Sequence, residues 1–162
     1  MMSESNKQWL DATADAAFAA FHIYPTMAAA EAALESAHKG IFGASQLARE
    51  DKNYFGCKQH KHPVYGTASL PTKEYLDGEW EVVDAQFVKY PSVQACFEDR
   101  MATIKRLSSS YPHYAEALAA TDPFDYVRAV SKTWSTDLER ASKCIAIYEE
   151  WLSPDMPNGL FT

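Results

Sequence analysis

From Met27 to Leu34 the chain reads Met-Ala-Ala-Ala-Glu-Ala-Ala-Leu, small and apolar nearly all the way round a helical wheel. Pro25 suits the first turn of such a helix, because its missing N–H costs nothing there and its fixed φ is already helical. The spacing predicts a helix from Pro25 to about Ser36. A helix without a polar face belongs inside a protein, so the remaining chain must wrap it. With 162 residues there is enough chain to do so. A domain of this length buries roughly 70% of the surface its unfolded form exposes, and residues 1–162 read as one domain.

Helical spacing recurs on both sides of this segment. Leu10, Ala14, Ala17 and Phe21 predict an amphipathic first helix. Ser45 is placed to cap a short helix over Gln46–Glu50. Val93, Phe97, Met101, Ile104 and Leu107 form another stripe, followed by short helices over Tyr114–Leu118 and Phe124–Thr133. Asp137 reads as the cap of a last helix with the stripe Ala141, Cys144 or Ile145, Tyr148 and Leu152. Residues 37–44 read as a loop, 56–71 as irregular, and the chain from Ser153, with Pro154 and Pro157, as a loose tail.

The β signal lies between Thr72 and Phe87, where Asp77-Gly78 is a type I′ hairpin dipeptide. A two-residue loop sets Leu76 opposite Glu79, Tyr75 opposite Trp80 and Glu74 opposite Glu81. The fold class is therefore α+β, a mainly helical domain with one inserted β-hairpin.

Several function classes drop out. No run of 18 or more apolar residues is present, so no membrane span is expected. Met1–Lys7 lacks the basic start and apolar core of a signal peptide, which predicts synthesis in the cytoplasm and export by another route. The formal charge of −7 argues against a nucleic-acid partner. Cys57, Cys96 and Cys144 lack zinc spacing and read as free thiols, with a Cys57–Cys96 or Cys96–Cys144 bridge left open. His38, His60, His62 and His113 form no metal pattern, and His60-x-His62 reads as a surface pair. Nucleophile-elbow, P-loop and dinucleotide fingerprints are absent. Neither metal nor organic cofactor is expected.

Two carboxylates stand out. Glu35 ends the apolar helix and opens into a glycine-bearing loop. Desolvation there would keep a carboxyl protonated near neutral pH, as a general acid requires. Glu74 lies near the hairpin tip, where a second carboxylate could activate water or stabilise positive charge at a sugar carbon. Glu31, one turn before Glu35, is expected either to raise the proton affinity of Glu35 as a like charge or to face water. Glu81 opposite Glu74 sets up a second like-charge pair. Two or three of the many aromatic rings suit a sugar-binding cleft.

Taken in order, several segments resemble glycoside hydrolase family 73, the bacterial glucosaminidases of flagellar and autolytic hydrolases. Pro25–Ser36 is similar to the family's helix ending in Leu-Glu-Ser. Gly43-Ala44-Ser45-Gln46-Leu47-Ala48 is similar to Gly-x-Ser-x-Leu-Ala, and Asn53-Tyr54-Phe55-Gly56-Cys57-Lys58 to Asn-Leu-Phe-Gly-Ile-Lys. Thr72-Lys73-Glu74-Tyr75, Asp77-Gly78 and Phe87–Ser92 follow its hairpin, and Trp134-Ser135-Thr136-Asp137 its Tyr-Ala-Thr-Asp. The likeness runs from about residue 25 to 150.

The resemblance implies a lysozyme-like α+β fold. It also implies hydrolysis of the β-1,4 bond between N-acetylglucosamine and N-acetylmuramic acid. Glu35 falls on the catalytic acid, Glu74 on the hairpin carboxylate, and Phe55, Tyr75 and Trp134 on cleft positions. Extra residues lie within Ala37–Phe42, directly after the acid. Lys39, Lys58 and Lys61 are candidates for a basic cleft wall facing an anionic polymer. The implied partners are peptidoglycan glycan strands; the expected export by another route adds a secretion system, a holin or an immunity protein as candidates. Two rivals stand beside this reading: a muramidase or lytic transglycosylase on the same fold, and a non-catalytic glycan-binding module.

Overall fold

The computed structural model describes residues 1–153; the rest of the expected loose tail, with Pro154 and Pro157, lies outside the described residues. The chain forms α1 (Glu4–Ala19), α2 (Pro25–Ser36), α3 (Gln46–Asp51), β1 (Gly66–Leu76), β2 (Glu79–Lys89), α4 (Val93–Leu107), α5 (Pro112–Leu118), α6 (Pro123–Trp134) and α7 (Arg140–Leu152). This is a mainly helical, lysozyme-like α+β domain with one antiparallel hairpin.

The apolar helix α2 is the axis. Each of its sides feeds a different part of the core. Met27 and Ala30 pack with α4, α5, α6 and α7 residues around Tyr126 and Val130. Ala28 and Ala32 join Ala17 of α1 and Phe97 of α4. Ala29 and Ala33 meet Leu10 of α1 and Trp151 of α7. The alanines allow three close approaches at once, which a helix of large side chains would forbid.

Two predicted stripe positions are corrected. Phe21 is 88% exposed. Helix α1 ends at Ala19, and the N–H groups of Phe21 and His22 bond back to Phe18 and Ala17. This is a Schellman ending with Phe21 at the left-handed position (φ 55°). The buried face of α1 is Leu10, Thr13 and Ala17. In α7 the buried face is Arg140, Cys144 and Trp151, while Leu152 is exposed. Asp137 lies before the cap position, where its carboxylate accepts the Glu139 N–H and binds Lys143.

Hairpin register follows the expectation: Leu76 faces Glu79, Tyr75 faces Trp80 and Glu74 faces Glu81. Asp77 (φ 51°) and Gly78 (φ 83°) make the turn. The strands run further than Thr72–Phe87, so residues 66–71, expected to be irregular, belong to β1. Pro71 fits because β1 is an edge strand with one side unpaired. On the far side of β2, Cys57 and Gln59 add backbone bonds to Val88 and Gln86.

The segment after α2 is more ordered than a loop. His38 and Ile41 exchange two backbone hydrogen bonds of 3.0 Å around Lys39-Gly40. Asn6 of α1 holds this turn through the Gly40 carbonyl and the Phe42 N–H, and Trp9 packs edge-on against Phe42. Gly43 (φ 70°) lies so close to Trp9 that an added Cβ would sit 2.2 Å from its Nε1. Gly78 has a similar φ of 83° but open space around it. Gly43→Ala is therefore expected to destabilise the fold by clash and strain together. Gly78→Ala is expected to cost only the backbone strain, about 1–3 kcal/mol. Chemical denaturation of both variants checks the order; an equal loss would contradict it.

Candidate active site

Glu35 sits in the last turn of α2. One carboxylate oxygen accepts a 2.8 Å hydrogen bond from Arg140 Nε, and the side chain is 27% exposed. Glu35 is thus held by a cation rather than enclosed in an apolar pocket, which corrects the expected setting. Arg140 is itself fixed. Its Nη1 donates to Ser131 Oγ of α6 at 2.8 Å, and its Nη2 lies 2.9 Å from Glu31.

Glu31 is neither in water nor pressed against Glu35. It is fully buried, with Arg100 of α4 forming a two-pronged pair at 2.6 and 3.0 Å. The Tyr126 hydroxyl donates to the same carboxylate at 2.6 Å. Burial alone would raise the Glu31 carboxyl, but Arg100 and Arg140 outweigh it and hold it at about 2. Arg100 Nη1 also donates to His22 Nε2 at 3.2 Å, while His22 Nδ1 donates to the Ile23 carbonyl. Burial, with Arg100 adding to it, holds this imidazole down to about 4.

The Arg100 guanidinium also joins two of the predicted cleft residues. It lies 4.4 Å from the Phe55 ring centre and 4.5 Å from that of Trp134. The two rings are nearly perpendicular, 6.0 Å apart. Phe55 is positioned by Asn53, whose buried amide bonds Cys57 on both its N–H and C=O and also reaches the Val88 carbonyl. Trp134 is the last residue of α6.

Phe55 and Trp134 line a cavity of about 360 Å³ together with Lys58, His60, Arg106 and Tyr114. Lys58 carries the connection to the hairpin, because its ammonium pairs with Glu74 at 3.0 Å. Glu74 is one-third exposed and directly opposite Glu81, as the register requires. Tyr75 goes elsewhere. Successive strand residues point to opposite faces, so Tyr75 shares the face of Trp80, 5.4 Å away, and is 61% exposed. The structure therefore gathers Phe55, Trp134 and, through Lys58, Glu74. It ties Glu35 to them through Arg140, Glu31 and Arg100, and leaves Tyr75 on the other side of the hairpin.

His60 is half-buried rather than a surface partner of His62, and its Nε2 donates to Asp99 at 2.7 Å. All three cysteines are free. Burial pushes the Cys57 thiol up to about 11 and the Cys144 thiol up to about 12, so neither is an activated nucleophile. Among the described residues no group of three or more His, Cys, Asp or Glu side chains is arranged to hold a metal ion. Sequence reasoning missed Arg100, Arg140 and Tyr126. A signal existed for Arg100, which falls on the stripe between Phe97 and Ile104.

A family model described as glucosaminidase, mannosyl-glycoprotein endo-β-N-acetylglucosaminidase, matches residues 11–152. Over 122 residues the chain is 34% identical to a probable N-acetylmuramidase of Lactococcus lactis subsp. cremoris, covering 71% of this chain and 26% of that protein. The chain thus spans about a quarter of that relative's length. The fold superimposes on the catalytic domain of the autolysin Auto from Listeria monocytogenes with a TM-score of 0.75 at 24% identity. That match covers 94% of this chain and 87% of the other. A glycoside hydrolase domain of FlgJ from Salmonella typhimurium matches with a TM-score of 0.67 at 23% identity, over 93% and 99% of the two chains. At these identities the solved structures establish the fold.

The buried network makes a pH prediction. His22 and Glu31 both have folded values below their ordinary 6.5 and 4.5. The unfolded chain then binds more protons, so stability is complete near neutrality and falls with pH. Loss is expected first between 6.5 and about 4 from His22, then between 4.5 and about 2 from Glu31. Urea midpoints measured from neutral pH downward should fall in both windows, and a flat profile would contradict the assignment. Glu31→Gln should cost about 3–5 kcal/mol at neutral pH, because it leaves two buried guanidiniums short of a charge.

Proposed function

Because the chain belongs to the glucosaminidase family, glycoside hydrolase family 73, we propose that it hydrolyses the β-1,4 bond between N-acetylglucosamine and N-acetylmuramic acid in peptidoglycan. Glu35 donates the proton to the glycosidic oxygen. Glu74 is the second carboxylate, activating water or stabilising the positive charge that develops at the sugar carbon. Trp134, backed by the buried Phe55 ring, forms the wall against which a sugar lies. The partners we propose for reaching this substrate are a secretion system or a holin, with an immunity protein in the case of an effector.

The observation that carries this reading is the posture of Glu35. A buried, doubly anchored guanidinium fixes one of its oxygens, the other is left to carry the proton, and the side chain keeps a partly exposed surface. An acid that must meet a polymer in one orientation needs both features: a fixed direction and an open side.

A second reading concerns the bond. The Lactococcus relative carries the name of an N-acetylmuramidase, and the same pair of carboxylates serves the neighbouring linkage equally well. Digestion of purified peptidoglycan, followed by borohydride reduction and mass spectrometry, separates the two. The expected products end in reduced N-acetylglucosamine, and Glu35→Gln should lower their release ~10²–10⁴-fold. Reduced muramic-acid ends would move the assignment to a muramidase. Anhydro ends with full activity in Glu74→Gln would indicate a transglycosylase, which needs one carboxylate. No release by the unmodified chain would leave a glycan-binding module.

A further inference from the structure

We propose that the cavity beside Phe55 and Trp134 is an anion subsite that binds a carboxylate-bearing sugar unit, with Arg106 as its principal cation. The inference rests on the peptidoglycan reading and adds to it the feature of the substrate that is recognised.

Charge is the first argument. The chain carries a formal −7, yet the cavity is lined by Lys58, His60 and Arg106 and by no carboxylate. The nearby acids are already engaged, Glu74 by Lys58 and Asp99 by His60 and the Tyr90 hydroxyl. Arg106 forms no ion pair among the described residues. Its place in the last turn of α4 suits the helix dipole. Lys105 beside it meets that need equally and does not line the cavity, so the dipole does not explain why Arg106 is there. An unpaired guanidinium at the edge of a cavity without acids is complementary to an anion.

Shape and surface chemistry give the second argument. Trp134, half-buried, lines the same cavity, and an aromatic ring suits the apolar C–H face of a pyranose. A guanidinium binds a carboxylate through two parallel N–H donors. A ring face with a two-pronged cation beside it fits a sugar that carries its own acid or holds an acidic peptide. A neutral amino sugar uses only the ring.

Two sources supply that carboxylate: the lactyl group of muramic acid and the stem peptide attached to it. Calorimetric titration of the Glu35→Gln protein at low salt distinguishes them with three probes. These are tetraacetylchitotetraose, which is neutral; a tetrasaccharide of alternating N-acetylglucosamine and muramic acid with free lactyl carboxylates; and the same tetrasaccharide bearing stem peptides. At least one anionic probe is expected to bind about tenfold more tightly than the neutral one. Preference for the free lactyl probe alone assigns the sugar's carboxylate, and preference for the peptide-bearing probe alone assigns the stem.

Arg106 is exposed, so Arg106→Gln should fold and should abolish the preference, as should ~1 M salt. Lys105→Gln, a change of equal charge at an exposed residue outside the cavity lining, should preserve it. Equal affinity for all three probes, binding of none, or a preference that survives Arg106→Gln would overturn the subsite. The hydrolase reading fails separately: the unmodified chain would bind the anionic probes with this preference and cleave no peptidoglycan.

Discussion

One fully buried carboxylate holds two buried guanidiniums, and the helices are arranged around that triad. Glu31 comes from α2, Arg100 from α4 and Arg140 from α7, while Tyr126 and Ser131 of α6 satisfy further donors and acceptors. Taking such ions out of water costs several kcal/mol each, so the triad is a weak source of net stability. Its effect is geometric. A guanidinium fork binds well only in its own plane, so four helices that could slide past one another as apolar cylinders are held in one relative position. Two arginines and Glu31 leave one positive charge over, and Arg140 turns its Nε toward Glu35. The proposed acid is therefore oriented by the core.

The same triad supports the cavity wall. Arg100 meets Phe55 and Trp134 while its far edge is fixed on Glu31. A cation between two rings is worth more when desolvated, up to about 2 kcal/mol or above. Here the cation cannot move without breaking the buried pair. The ring that would receive a sugar thus rests on a fixed support, and the proposed acid lies at the other end of the same chain of contacts.

Much of this arrangement was legible in the chain, and what was not has a common cause. The burial of α2 follows from its composition, and the hairpin register follows from Asp77-Gly78, because a two-residue turn leaves one pairing only. Local signals also located the Ser45 cap, whose Oγ accepts the Ala48 N–H. The ordered motifs single out Glu35 and Glu74, the two carboxylates proposed for catalysis. Arg100 and Arg140 escaped notice because charged residues are almost never fully buried unless paired, and their partner is far away along the chain. Phe21 continued the helical spacing, but the left-handed turn that excludes it depends on how α1 hands over to α2. Tyr75 followed Glu74 in the motif, while the alternation of the strand placed them on opposite faces.

The segment directly after Glu35 bears on the border of the proposed site. Ser36 closes the base of that segment: its hydroxyl accepts the Gly43 N–H at 3.0 Å, and its carbonyl accepts the Ser45 N–H at 2.9 Å. The same hydroxyl donates to the Ala32 carbonyl, which anchors it to the helix. With both ends clamped to one residue, added length grows outward as a self-bonded turn resting on Asn6 and Trp9 of α1. Lengthening a closed loop costs little, about 0.6 kcal/mol per doubling. The position of Glu35 is set from the opposite direction, by Arg140 and the buried triad. Loop length and acid geometry are thereby uncoupled, and the border of the cleft can vary while the proposed acid keeps its place.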